Sequence, residues 1–379
     1  MEYKEYELGE LLYYEQPTPY IVESTDYNDA YETPVLTAGK SFILGYTDEK
    51  EGIYDQLPVI IFDDFTTASQ YVNFKFKVKS SAMKILTPVT ELVLPKYIYY
   101  RIQIIQFDHS THKRYWIQQY SKIRVSIPPI PEQECIVARI EELFSQLDAG
   151  VETLKKTKAQ LAVYRQAVLK EAFEGDYPRK QLKEFSKAIS GFAFKSSRYS
   201  PDGNYVVVKI GNVKERHFDF SRDLTKTLEA DDSILEKYLL RRGDCLITLT
   251  GSRGKRDYGF VAMVGNQNNY LLNQRVVALR FDQSVALPEF FQYYLASPSY
   301  RDMFFGYETG NVGQGNVGIK ALLDPYVILP DIDTQKRIIE DVEDRLSVCD
   351  SIEQTVDTAL QQAEAMRQSI LKDAFEGRL

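Results

Sequence analysis

The chain has 379 residues, 44% of them hydrophobic, with a net charge of −8 and three widely spaced cysteines. This length leaves room for two or three ordinary domains. No apolar stretch is long enough to cross a bilayer, the first residues lack a signal-peptide pattern, and the cysteines indicate no disulfide framework. The sequence therefore predicts a cytoplasmic protein without a membrane partner. The acidic charge also argues against a simple nucleic-acid coat, so the placement of basic residues matters more than their sum.

Residues 1–125 are predicted to form a globular domain of mixed α/β structure. The run 57–65 is typical of a buried strand, and residues 71–81 alternate apolar with polar side chains as a half-exposed strand does. Lys75, Lys77 and Lys79 would then project from one face. Such a row fits phosphate contacts, and it fits equally a strand edge that lysines protect against pairing. A helix is predicted at 94–102, and a polar loop with a short helix at 108–123.

Candidate DNA contacts in this domain combine hydroxyl and basic side chains, which can bond phosphate oxygens and base edges. They are Thr66 and position 68 in the turn after the buried strand, Lys75 and Lys77 in the alternating run, and His112, Lys113 and Arg114 in the polar loop. Position 68 is an alanine, Ala68, so the serine of that turn is Ser69.

Residues 126–175 are predicted to form one long helix. Apolar residues recur at every seventh position, which makes a narrow seam that packs on another helix. The seam residues are Ile140, Leu147, Leu154, Leu161 and Val168. Prolines precede the run, and Gly175 follows it where a helix commonly ends. A helix of about 40 residues would be roughly 60 Å long.

Residues 176–328 repeat the order of the first domain. Strands are predicted at 205–213, 244–251, 258–265 and 270–281, and a helix at 287–295. The candidate DNA contacts are Lys195, Ser196 and Arg198, then Ser252, Arg253, Lys255 and Arg256 in a glycine-containing loop, and Asn311, Gln314 and Asn316 in a glycine-rich segment. Amides can make paired hydrogen bonds to adenine. The glycines at 313, 315 and 318 match a dinucleotide-binding pattern but follow a helix-like run, so no cofactor is predicted in this chain.

Residues 329–379 form a second long helix with the same seven-residue seam. Its seam residues are Val342, Cys349, Val356, Ala363 and Ile370, with Ile352 and Met366 beside them. Residues 125–175 and 327–377 align without gaps at a shift of 202, and 18 of the 51 positions are identical. The chain is therefore two copies of one unit. The predicted fold is α+β, with two mixed α/β domains separated by an antiparallel coiled coil of two long helices and an internal pseudo-two-fold repeat.

This pattern resembles the specificity subunits of type I restriction–modification systems. The residues that carry the resemblance are IPPIPEQECIVARIEELFSQLD and the two AFEG helix ends, together with RRGDCLITLTGSRG and GNVGQGNVGIKALLDPYVILP in the second domain. The first domain departs from it, because IIFDDFTTASQ replaces the glycine-containing loop. The resemblance implies two target-recognition domains, each reading half of a bipartite site in double-stranded DNA. It also implies two methyltransferase subunits docked on the chain and further restriction and translocase subunits, with S-adenosylmethionine and ATP on those partners and no catalysis here.

Two other function classes compete with this interpretation. A metal-dependent nuclease would use Asp63 and Asp64 with Lys75 or Lys77. A scaffold that does not bind DNA would use only the coiled coil. If the chain does read DNA, helix length is expected to set the spacing of the half-sites, about one turn of B-DNA apart.

Overall fold

The computed structural model of the protein describes residues 3–38, 41–107, 115–228, 230–311 and 313–379. The chain divides into two compact units, one formed by Met1–Lys155 with Asp357–Leu379 and the other by Lys156–Val356. Each unit contains one globular domain and a part of both long helices. Within the described ranges, no helix combines the length and apolar character needed to span a membrane.

The first unit opens with short strands and helices that precede the first long helix. Its strands are β1 (Lys4–Glu7), β2 (Leu12–Glu15), β3 (Thr33–Leu36), β4 (Ile43–Thr47), β5 (Val59–Asp63), β6 (Ser69–Val72), β7 (Lys77–Val78), β8 (Met83–Pro88) and β9 (Arg124–Ile127). Its short helices are α1 (Leu8–Leu11), α2 (Pro95–Gln103) and α3 (Tyr115–Gln118). The first long helix, α4, spans Ile130–Ala172.

The domain of the first unit contains two sheets and a ribbon. Strands β2, β8, β5 and β6 form an antiparallel four-stranded sheet in that order. A three-stranded sheet has the order β4-β3-β7, in which β3 pairs antiparallel with β4 and parallel with β7. The ribbon pairs β1 with β9. It therefore holds the first strand of the domain beside the residues that lead into α4.

The second unit contains the remaining elements. Its strands are β10 (Arg179–Gln181), β11 (Ser186–Ser190), β12 (Tyr205–Val208), β13 (Lys226–Thr227), β14 (Cys245–Thr248), β15 (Thr250–Gly251), β16 (Val261–Met263), β17 (Tyr270–Leu272), β18 (Val276–Phe281), β19 (Gly315–Asn316) and β20 (Tyr326–Ile328). Its short helices are α5 (Leu182–Phe185), α6 (Asp232–Tyr238), α7 (Pro288–Ala296), α8 (Pro298–Gly306) and α9 (Ile319–Leu323). The second long helix, α10, spans Ile332–Phe375.

The second domain has the same sheet topology as the first. Its four-stranded sheet has the order β11-β18-β14-β16 and its three-stranded sheet the order β13-β12-β17, with one antiparallel and one parallel pair. A ribbon of β10 and β20 matches that of β1 and β9. The repeat is clear in the sequence only along the long helices, but it extends through both domains. The predicted α+β fold with an internal repeat is confirmed.

One inner strand of each four-stranded sheet, β5 or β14, is mostly apolar because both of its faces are buried. In β5, Ile60 and Phe62 pack with the helical layer, whereas Val59 and Ile61 pack with the three-stranded sheet. In β14, Ile247 packs with the helical layer and Leu246 packs with the three-stranded sheet. Each domain is therefore a three-layer structure of helices, a four-stranded sheet and a three-stranded sheet.

The two long helices contain 43 and 44 residues and pair antiparallel within each unit. On α10 the seam residues Val342, Cys349, Val356 and Ala363 are buried, as the heptad pattern predicts. Ile352 and Met366, expected beside the seam, are instead 40% and 55% exposed. The neighbours that show the antiparallel direction are Ile140 with Leu371 and Asp148 with Arg367 in the first unit, and Arg165 with Asp350 and Glu171 with Arg345 in the second.

A buried glutamine fixes the start of each long helix to its own domain. The Gln133 side chain accepts a hydrogen bond from the Leu94 N–H (2.8 Å) and donates to the carbonyls of Leu92 (3.0 Å) and Pro128 (2.9 Å). Gln335 repeats all three bonds, with Leu287, Val285 and Pro330, at 2.8 Å each. Both side chains are fully buried. We call Gln133 and Gln335 the paired glutamines.

The end of each long helix completes the hydrophobic core of the other copy's domain. Phe375 of α10 packs edge-on against Tyr97 of α2, with ring centroids 5.3 Å apart. Phe173, just after α4, packs in the same way against Phe290 of α7 at 5.4 Å. The phenylalanine of each AFEG motif is therefore a core residue.

Two strand predictions need correction. Residues 71–81 form the separate strands β6 and β7 rather than one alternating strand. Lys75 is exposed, whereas Lys77 is only 3% exposed and its Nζ lies 2.8 Å from Glu49 Oε2 and 2.7 Å from the Glu51 carbonyl. The prediction that these lysines share one face is wrong, because the Glu49 carboxylate and the Glu51 carbonyl hold the ammonium group of Lys77 inside the domain. Residues 270–281 likewise divide into β17 and β18, which belong to different sheets.

Candidate nucleic-acid interface

The second domain presents an exposed basic loop, residues 252–257, after β14 and β15. The side chains of Arg253, Lys255 and Arg256 are exposed. The Ser252 N–H donates to Asp257 Oδ1 (2.7 Å) and closes the loop at its base. Hydrogen bonds from the Ser252 hydroxyl and N–H hold the pKa of Asp257 below its ordinary value. Gly254 (φ +74°) and Arg256 (φ +52°) adopt left-handed conformations, which glycine accommodates without strain.

A glycine-rich hairpin, described at residues 309–311 and 313–316, lies beside the basic loop. Thr309 and Asn316 exchange two backbone hydrogen bonds of 2.8 Å, and β19 of the hairpin pairs with β15. Arg253 Nη1 also donates to the Gly310 carbonyl at 2.9 Å. The structure therefore brings two of the predicted contact sets into one surface. Asn311 and Gln314 are exposed there, and Asn316 is half-buried.

Glu308, which immediately precedes the hairpin, bonds it to the basic loop. Its Oε1 accepts hydrogen bonds from the Tyr258 hydroxyl (2.7 Å) and the Gly254 N–H (3.4 Å). Burial and the hydrogen bond to Glu308 raise the pKa of Tyr258, so this phenol remains a donor at neutral pH. A Cβ at Gly315 would lie 2.4 Å from Glu308 Oε1, so glycine is needed for the close approach.

Arg301, which sequence reasoning missed, fixes the far end of the basic loop. Its guanidinium donates to the carbonyls of Gly259 (2.8 Å), Arg256 (3.0 Å) and Tyr258 (3.1 Å). Arg256 itself is engaged, because its Nη1 lies 2.6 Å from Asp302 Oδ1. Arg253 uses one of its five N–H donors in the contact with Gly310. Arg253 and Lys255 are accordingly the cations of this surface best placed to meet an anionic ligand.

The third predicted set, Lys195, Ser196 and Arg198, belongs to another part of the domain. These residues form an exposed 3-10 turn that leads into the three-stranded sheet. The Arg198 carbonyl accepts hydrogen bonds from the Leu228 N–H (3.1 Å) and the Thr227 hydroxyl (3.2 Å). The basic loop, by contrast, follows the four-stranded sheet.

In the first domain, only some of the predicted contacts are available. Thr66 is exposed in the β5–β6 turn, and Lys75 is exposed with Asp55 at 3.8 Å. Ser69 is buried and its Oγ accepts a 2.7 Å hydrogen bond from Gln103, while Ala68 has no polar side-chain group. The burial of Lys77 excludes it from a surface role. His112, Lys113 and Arg114 lie outside the described residues.

The β5–β6 turn and the basic loop occupy equivalent positions in the two domains. The carbonyl of Asp64, just after β5, accepts from the Tyr115 N–H (3.0 Å), and that of Leu249, just after β14, accepts from the Val317 N–H (2.9 Å). The numbers 115 and 317 differ by the repeat shift of 202. Tyr115 and Val317 thus bond to equivalent points of their domains.

Asp64 has a structural role that sequence reasoning missed, because its buried carboxylate holds the start of α3. Its carboxylate is 2% exposed, accepts from the Trp116 N–H (2.8 Å) and lies 3.7 Å from the buried Nζ of Lys84. It therefore fixes the start of α3 beside the β5–β6 turn. Asp63 caps that turn, because its Oδ1 accepts from the N–H groups of Phe65 (2.8 Å) and Thr66 (2.9 Å). Asp63 and Asp64 serve these contacts and Lys77 bonds Glu49 and Glu51, so no nuclease site is assembled from these three residues.

The described residues offer no evident cofactor or metal site. Among them, no group of three or more His, Cys, Asp or Glu side chains is arranged to hold a metal ion. Gly315 lies in the two-residue strand β19 and Gly318 precedes the five-residue helix α9, elements shorter than those of a dinucleotide-binding βαβ unit.

Comparison with known proteins gives consistent matches. Residues 174–362 match the family described as the type I restriction modification DNA specificity domain. Over 196 residues the chain is 45% identical to the EcoR124I/EcoR124II specificity subunit of Escherichia coli, and this alignment covers 48% of each protein. It is 28% identical over 279 residues to the EcoKI specificity subunit of Escherichia coli K12, covering 69% of this chain and 58% of that protein. The chain belongs to the family of type I restriction specificity subunits.

Solved structures show the same fold. The HsdS subunit from Thermoanaerobacter tengcongensis matches with a TM-score of 0.52 and 17% identity, over 100% of this chain and 97% of that one. A chain from a study of complex assembly and conformational transition of the type I R-M system matches with a TM-score of 0.72 and 17% identity, over 100% and 98%. This specificity-family chain aligns with about half of the length of its curated relatives. The family match includes the basic loop and the hairpin.

Proposed function

We propose that this chain is the non-catalytic, sequence-reading subunit of a type I restriction–modification complex. Residues 1–125 and 176–328 are the two target-recognition domains, and each reads one half of a bipartite site in double-stranded DNA. The observation that carries the proposal is the surface formed by the basic loop and the glycine-rich hairpin, within a segment that matches the DNA specificity domain. Arginine and lysine can bond phosphates and guanine, and the amides of Asn311 and Gln314 can bond adenine.

The long helices, residues 126–175 and 329–379, act in this proposal as the spacer. Over residues 330–379 twelve acidic side chains stand against six basic ones, so this segment repels a DNA backbone and suits a protein partner. We assign two methyltransferase subunits to that role, with restriction and translocase subunits joining them. S-adenosylmethionine, ATP and the chemistry of methylation and cleavage belong to those partners.

The test is to express the chain with methyltransferase subunits of its system and to sequence the methylated adenines in host DNA. We expect a motif of two fixed half-sites separated by an unspecified spacer. R253A with K255A should weaken binding to that site by about fivefold to a hundredfold and relax one half-site only. The control is K237A, an exposed lysine on α6, which should leave the motif unchanged. A complex that binds no DNA supports the scaffold instead, and cleavage by the chain alone supports the nuclease.

A further inference from the structure

The first domain presents an exposed aromatic residue where the second domain presents its basic loop. Phe65 lies at the tip of the β5–β6 turn and is 47% exposed, whereas Phe62 of β5, three residues earlier, is fully buried. The equivalent turn in the second domain carries Arg253, Lys255 and Arg256. The two domains therefore offer different chemistry at the same place in the fold.

The turn holds Phe65 in a fixed position. Its N–H donates to Asp63 Oδ1, and the Thr67 N–H donates to the Asp63 carbonyl at 2.9 Å. Thr67 adopts a left-handed conformation (φ +57°) that completes the reversal. An aromatic side chain has only two rotatable bonds, so a contact made from such a turn loses little conformational entropy.

A second exposed apolar side chain follows close by. The Trp116 N–H is bonded to the Asp64 carboxylate, which places the start of α3 against the residue that precedes Phe65. Ile117, the next residue of α3, is 61% exposed. Phe65 and Ile117 are thus two exposed apolar side chains, one on the turn and one on the helix that is bonded to it.

The exposed side chains of this turn indicate which kind of ligand group it can contact. Ser69, at the start of β6, is buried and bonded to Gln103, so Phe65 and Thr66 are the exposed side chains that this turn presents to a ligand. Phenylalanine and threonine contact the 5-methyl group of thymine in the major groove, whereas arginine and lysine contact guanine. We infer that Phe65 reads the first half-site through an apolar contact with a thymine methyl group. This inference rests on the proposed function.

The experiment uses the complete chain with its methyltransferase subunits and the bipartite site found by methylation sequencing. Each thymine of the two half-sites is replaced in turn by uracil, which removes only the methyl group. With the wild-type chain, one such replacement in one half-site should weaken binding about fourfold. F65A should weaken binding to the unmodified site roughly tenfold, and it should no longer distinguish thymine from uracil at that position.

Controls separate this contact from other roles. Y13A removes an aromatic ring that is 69% exposed on β2. This strand is at the opposite edge of the same sheet from β6, so the variant should bind as wild type does. The salt dependence of binding should be unchanged in F65A, because no phosphate contact is lost. F65L, which keeps an apolar side chain and the fold, should retain part of the discrimination.

Three outcomes would overturn the inference. They are an F65A complex that binds and discriminates as wild type does, a wild-type complex indifferent to uracil at every position, and an F65A chain that instead loses its methyltransferase subunits. A wild-type complex that binds no DNA defeats the proposed function as well, so the two failures are distinguishable.

Discussion

Glu49 forms an ion pair with the buried Lys77 of the first domain. Burial acts to raise the pKa of Glu49, but hydrogen bonds from Lys77 and from the N–H groups of Ser24 (2.9 Å) and Glu23 (3.0 Å) outweigh it. The pKa of Glu49 therefore lies below its ordinary value of 4.5. A carboxyl group with a lowered pKa stabilises the fold above that ordinary value, and the contribution is lost as the pH falls through the lowered pKa.

E49Q tests this pair. At neutral pH the variant should be less stable than wild type by roughly 1–3 kcal/mol, because a charge-assisted hydrogen bond to a buried lysine is lost. The difference should shrink as the pH falls from about 4.5 through the lowered pKa of Glu49, because the wild-type carboxyl is then neutral as well. Chemical denaturation at a series of pH values measures both effects. D55N, which removes the exposed partner of Lys75, should change stability by less than about 0.5 kcal/mol.

Individual contact residues were the least predictable feature. Lys75 and Lys77 are equivalent in the alternating pattern, and what separates them is a turn at Glu49 and Glu51 that no local pattern reveals. Asp64 appeared as a candidate catalytic residue, and its partners Lys84 and Trp116 lie 20 and 52 positions further along the chain. Phe65 could not be told from a core residue in the sequence. Its exposure results from the turn that Asp63 caps, and no local pattern reveals that turn.

At the scale of elements, the long helices were predictable because a seven-residue repeat is a local signal. Residues 126–175 and 329–379 were predicted, and the helices span Ile130–Ala172 and Ile332–Phe375. Short strands such as β7 and β17 depend on pairing with distant segments, so their limits were not visible in the sequence. The PEQ motif was recognised as part of the resemblance, and the repeat places Gln335 at the position equivalent to Gln133. Their physical role is evident only from the hydrogen bonds of the paired glutamines.

Q133A should loosen the junction between the first domain and α4. The substitution leaves the Leu94 N–H and the carbonyls of Leu92 and Pro128 without their side-chain partner, at about 1–3 kcal/mol for each group left unsatisfied. We expect a lower free energy of unfolding and faster amide exchange at Leu94. Q335A should do the same at Leu287. Q146A, an exposed glutamine of α4, is the matched control, and a loss of stability equal to that of Q133A would contradict this role.

At the scale of the whole molecule, α4 and α10 have nearly equal lengths, and in the proposed function this length sets the spacer between the half-sites. Inserting one heptad at equivalent positions of both helices adds about 10 Å, or about three base pairs of B-DNA. The methylated motif should keep both half-sites and gain about three base pairs of spacer. Replacing one heptad by another of equal length should leave the spacer unchanged. Changed half-sites with the original spacer would refute the role of helix length.

The packing of Phe375 on Tyr97 also has a consequence for biosynthesis. The first domain obtains this ring from a segment translated almost 280 residues after Tyr97, whereas Phe173 is translated before its partner Phe290. At about 5–20 residues per second, the delay at the first domain is on the order of 15–60 s. The second domain can thus mature while still attached to the ribosome. The N-terminal domain stays unfinished at that edge until Phe375 has been translated.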